Sequence, residues 1–158
     1  MEKEFKEIIE ESKRSLEKIE KNIEERSENF TEEVSVFWVD LKKHLSAVGG
    51  KLKDAYNNFE DQAELKGHLG IMEARERMEK LKEATDEFSY KVSNNAQEEL
   101  DIATLKAHLV KMESEDIWAE KQKELIHIYS YSKVEAEKLT KKAAKELNNI
   151  VFKLTEIT

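Results

Sequence analysis

The chain has 158 residues, a net charge of −8, no cysteine and no proline, and Asp, Glu, Lys and Arg make up 39% of it. This length supports one domain with a real core, and the missing cysteines exclude thiol nucleophiles, disulfides and cysteine-based zinc sites. The acidic balance argues against a phosphate-backbone binder, so no nucleic-acid partner is expected. No run of about 18 apolar residues exists to span a bilayer, and Met1-Glu2-Lys3-Glu4-Phe5 is charged from the outset, unlike a signal peptide; a cytoplasmic location is expected.

The first element repeats apolar residues at Phe5, Ile9, Leu16, Ile19, Ile23 and Phe30, with Ser12 and Arg26 as polar members of an a/d heptad. Glu2–Lys6, Glu10–Arg14 and Glu17–Lys21 supply i,i+4 pairs on the other face. A stripe this narrow needs a partner. Residues 1–28 are therefore expected to form a semi-detached helix, with Phe5, Ile9, Leu16, Ile19 and Ile23 as interface residues.

Asn29-Phe30-Thr31-Glu32 has the form of a capping box. The stripe changes phase there and continues as Val34, Trp38, Leu41, Leu45, Val48, Leu52, Ala55 and Phe59. Gly49-Gly50 lies within this second stripe at a cost of about 1 kcal/mol each against Ala, but the stripe stays in phase through it, which favours continuous helix. Asn57-Asn58 to Asp61 is the next loop candidate. A third helix is expected from about 62 to 92, ended by Ser93-Asn94-Asn95, whose side chains compete for backbone hydrogen bonds. Asn95-Ala96-Gln97-Glu98 again has capping-box form. Residues 97–157 contain no strong breaker, and Ser132-Lys133-Val134-Glu135 is the best internal helix start; one long helix or two both fit.

Leu-Lys-x-His-Leu occurs three times, at Leu41–Leu45, Leu65–Leu69 and Leu105–Leu109. The last two copies extend: Leu65–Glu73 and Leu105–Glu113 are identical at six of nine positions. Glu79–Glu83 then matches Glu120–Glu124, and Phe88-Ser89-Tyr90 matches Tyr129-Ser130-Tyr131, each after one inserted residue. Residues 62–92 and 98–134 therefore read as tandem duplicated units within a single helical domain, 1–158. One unit holds no internal turn signal, so it reads as one long helix plus a connection, not a solenoid repeat.

In heptad terms the block is d-e-f-g-a, two core leucines flanked by Lys and His at the seam edge. His68 and Met72, and His108 and Met112, form two His/Met pairs of a kind that binds copper or haem iron, and these four are the candidate metal ligands. With turns near 60 and 94, an antiparallel hairpin offsets His68 and His108 by roughly 18 Å, so the pairs do not converge within such a chain. Glu124-x-x-His127 is a lone Glu-x-x-His, where di-iron bundles need two. No His-Glu-x-x-His, glycine-rich phosphate loop or Gly-x-Ser-x-Gly elbow occurs. No enzyme activity and no cofactor are expected. Trp38 and Trp118 fall on or beside the stripes and read as core residues or interface anchors.

The fold class that follows is all-α: an elongated antiparallel helical bundle or coiled coil of three to five long amphipathic helices. The expected role is a non-catalytic structural or interaction protein that self-associates through coiled-coil seams or binds another helical protein. The alternative is a lipid- or granule-surface protein that opens its amphipathic helices onto an apolar surface. In that outline it resembles phasins and exchangeable apolipoproteins, without a motif that assigns it to either. Residues 1–35 carry twelve acidic and seven basic residues and residues 133–158 carry six Lys and four Glu, so the two ends could attract one another within a chain or between chains.

Overall fold

The heptad face of the first segment finds its partners inside the chain. In a computed structural model, which describes the backbone of residues 2–112 and 116–158 and the side chains of 3–111 and 118–158, α1 spans Glu2–Glu24. It is followed by α2 (Glu32–Glu60), α3 (Glu64–Ser93), α4 (Ile102–Met112), α5 (Asp116–Tyr131) and α6 (Lys133–Ile157). Single 3-10 turns at Ser27–Asn29 and Gln97–Glu99 precede α2 and α4. The fold is all-α, with no strand among the described residues. No helix among them is long and apolar enough to cross a membrane.

Local chemistry sets the helix ends. The Thr31 hydroxyl accepts from the Val34 N–H and starts α2, two residues beyond the box expected at Asn29. Asp101 accepts from the Thr104 N–H at 3.1 Å and from its hydroxyl at 2.8 Å, opening α4; the box expected at Asn95 is not used. Ser132 accepts from the Glu135 N–H and starts α6 where the sequence placed it. α2 and α3 end alike. Gln62 (φ 61°) and Asn95 (φ 56°) turn left-handed, and the next residue's N–H reaches back to Asn58 and Lys91 respectively. This is a Schellman closure. Gly49-Gly50 lies within continuous helix.

Named contacts give the helix directions. Phe5 stacks on Phe59 at 5.2 Å, while Trp38 bonds Glu24 near the other end, so α1 and α2 run oppositely. Phe37 meets Phe88 and Phe59 meets His68, so α2 and α3 also run oppositely. Glu4–Lys141, Ser12–Asn148 and Asn22–Thr158 rise together, so α1 and α6 run the same way. Four helices close a ring of contacts in the order α1, α2, α3, α6. α4 lies on α2 and α3, and α5 on α3 and α6, so the α4–α5 segment crosses the outside of α3.

Three expectations are corrected here. Residues 1–28 are not semi-detached, because Phe5, Ile9, Leu16, Ile19 and Ile23 are each at most 2% exposed within the main core. The seam's partners are α2 and α6 of the same chain. The described helices number six, not three to five, because 97–157 divides into three. A second, smaller core of Met72, Trp118, Leu125, Ala136 and Ala143 joins α3, α5 and α6.

Candidate interaction surface

The histidines separate. His68 is 1% exposed, enclosed by the rings of Phe5 and Phe59 at 5.3 Å each and Tyr129 at 6.1 Å. Burial pushes its pKa down to about 4 against a slight opposing pull from Glu64, so the ring is neutral, and its Nδ1 has no hydrogen-bond partner. His108 lies at the surface, where its Nε2 donates to the Lys80 carbonyl at 2.7 Å. His44 Nδ1 donates to the Asp40 carbonyl at 2.9 Å, one turn back on α2. His127 is exposed against the Tyr131 ring.

Met72 is buried beside Trp118 in the smaller core, and the side chain of Met112 lies outside the described residues. No three or more His, Asp or Glu side chains among the described residues come together to hold a metal ion. Three of the four candidate ligands thus have other surroundings: an aromatic cage, a thioether-filled core and a helix carbonyl.

The seven expected interface residues are likewise spent inside the chain. Trp38 is 3% and Trp118 7% exposed, like the five apolar residues of α1. Trp38 Nε1 donates to the Glu24 carboxylate at 2.6 Å, and that bond holds the Glu24 pKa below the usual carboxylate range.

Sequence reasoning did not find the polar cluster between α3 and α6. Arg75 binds Glu146 at 2.7 Å and Glu76 at 2.7 Å, with Glu79 at 3.7 Å. Glu76 is buried, and a sequence this rich in Glu gives no signal as to which carboxylate goes inside.

A surface between α2 and α4 is left uncovered. Gln97 fixes it: its amide nitrogen donates to the Asn29 carbonyl at 2.7 Å and its oxygen accepts from the Thr31 N–H at 2.9 Å. This clamp ties the approach to α4 onto the approach to α2. Between the two helices runs a groove of about 640 Å3 lined by Val34, Val36, Leu100 and Ile102, with Glu32, Glu33, Glu98 and Lys106 on its rim. Val36 is 55% exposed, Val39 69% and Val110 67%. Val36 and Val39 lie three residues apart on α2, and Val110 lies one turn beyond Lys106 on α4.

No protein family, curated protein or solved structure matches the chain. The surface and the core therefore carry the functional reading by themselves.

Proposed function

We propose that the protein is a non-catalytic helical-bundle scaffold that acts by binding another polypeptide, and that the α2–α4 face is where it does so. One observation carries this reading. Three valines stand open to solvent on neighbouring helices beside a groove; among the described residues 33 apolar residues are buried, and the other large exposed ones, Tyr90, Ile126, Tyr131, Val134, Phe152 and Ile157, lie on α3, α5 and α6. Isolated exposed apolar residues are ordinary; grouped ones with a polar rim mark interaction sites. The self-association expected from the α1 seam moves to this face, because that seam is occupied. α3 and the α4–α5 segment are read as diverged copies of one unit. The lipid-surface reading needs the helices to open and give up Phe5, Ile19 and Phe59 to the apolar phase; the scaffold reading needs nothing to open.

Cross-linking in the cells that make the protein tests the proposal. Lysine-reactive links from Lys43, Lys106 and Lys111 to a second polypeptide chain are the expected result. Links confined to the chain itself would overturn it.

A further inference from the structure

We infer that the occupant of the α2–α4 face is a second copy of this chain, docked antiparallel about a two-fold axis; this rests on the scaffold reading above. The residues of α2 that point away from the core follow a charge order. Glu32, Val36, Val39 and Lys43 share one side of the helix at 3.6 residues per turn, and all four are exposed. α4 repeats that order beside it: Glu98 precedes the helix, Ala103 and Ala107 follow, then Val110 and Lys111, again all exposed. α2 and α4 run the same way: Val34 and Ile102, each near the start of its helix, line the same groove, and further along α4, His108 has descended to the level of Lys80 on α3, which runs opposite to α2. Apart from Lys106, which stands on the groove rim between the two ends, the face is acidic at one end, apolar in the middle and basic at the other.

Such a face complements its own reversed copy. An isologous contact presents the same patch twice, so a two-fold axis pairs each end with its opposite. Here the register agrees as well. An axis level with the midpoint between Val36 and Val39 sets Val36 of one copy against Val39 of the other. That same axis sets Glu32 of one copy against Lys43 of the other, at both ends of the contact. With a net charge of −8 on each chain, unaligned encounters are repulsive, and pairing of this kind selects the orientation. An anionic lipid surface would meet Glu32, Glu33 and Glu98 with repulsion. A single-sign partner would satisfy one end and repel at the other.

Sedimentation velocity on the full chain, over a concentration series, is the test. A concentration-dependent dimer is expected for the wild type. The Val36→Glu/Val39→Glu variant should sediment as a monomer with an unchanged thermal melt, since both residues are exposed. Lys43→Glu alone should weaken the dimer by about tenfold, and adding Glu32→Lys should restore it, because the exchange regenerates both pairs. A dimer indifferent to Val36→Glu/Val39→Glu, or a double exchange that fails to restore it, overturns this face and orientation. A wild-type chain that stays monomeric throughout overturns the second copy as occupant. In cells, cross-links from mixed light- and heavy-isotope copies separate the two readings. Links to a different protein sink the second copy and keep the scaffold, whereas an absence of interchain links sinks both.

Discussion

Gly70 lies against Ala55 across the α2–α3 seam: a Cβ placed on Gly70 would stand 2.9 Å from the Ala55 Cβ and 3.3 Å from its Cα. The neighbour includes backbone, so it cannot swing aside. Gly70→Ala should destabilise the fold by about 1–3 kcal/mol despite its better helix propensity. Gly49 meets nothing within 4 Å of the same construction. Gly49→Ala should therefore stabilise by about 0.5–1 kcal/mol. Urea unfolding of the two variants checks the opposite signs.

Gln62 occupies a left-handed conformation, φ 61°, that costs a residue with a Cβ about 1–2 kcal/mol. Glycine carries no such cost and is the usual residue at this position of a Schellman closure. Gln62→Gly should raise the unfolding free energy by about 1 kcal/mol. A thermal melt that does not rise would contradict the turn geometry between α2 and α3.

His68 makes stability depend on pH in a definite direction. Its pKa is about 4 in the folded chain, against about 6.5 unfolded. Between these values the unfolded state binds a proton that the native state does not. Stability therefore falls as pH drops from about 6.5 to about 4, by about 3 kcal/mol in all. Carboxylates whose pKa is lowered by partners, Glu79 beside Lys82 among them, add their own loss in the acid range. His68→Phe isolates the histidine: it keeps an aromatic ring against Phe5 and Phe59 and removes the unpartnered nitrogen. The difference between the wild-type and variant stability curves should show the His68 slope below about pH 6.5 and level off to a constant above about pH 7; a difference flat across the whole range would contradict burial of the neutral ring.

Arg75 holds two carboxylates at once, Glu76 and Glu146. Arg75→Met leaves the buried Glu76 without its ion pair and should cost about 1–3 kcal/mol, discounted from a fully buried pair because Arg75 is partly solvated. Arg75→Met/Glu76→Leu removes charge from both positions and should recover most of that loss. Denaturant titration of the single and double variants gives the coupling.

The residues of α1 show what periodicity can and cannot resolve. Phe5, Ile9, Leu16, Ile19 and Ile23 are buried as their spacing required, and the polar members Ser12 and Arg26 fall on the same side, bonding Asn148 and the Thr158 carbonyl. Spacing names the buried face of a helix but not the helix that covers it, so an internal seam and an intermolecular one look alike in sequence. The same ambiguity governed the histidine blocks. His68 and His108 occupy matched positions of similar sequences, yet one is caged by three rings and the other reaches a carbonyl, because α3 is surrounded and α4 lies outside it.

The amino-acid sequence alone determined that the chain is helical, which faces are apolar, and where Asn95 and Ser132 interrupt it, since these depend on neighbours within a turn or two. Tertiary structure alone decided that α1 is enclosed, that Gly70 is a contact glycine while Gly49 is not, and that Gln62 turns left-handed. It also decided which of many carboxylates is buried and which valines are left outside. Each of these turns on what stands opposite a residue across a helix–helix contact, and that neighbour is tens of residues away along the chain.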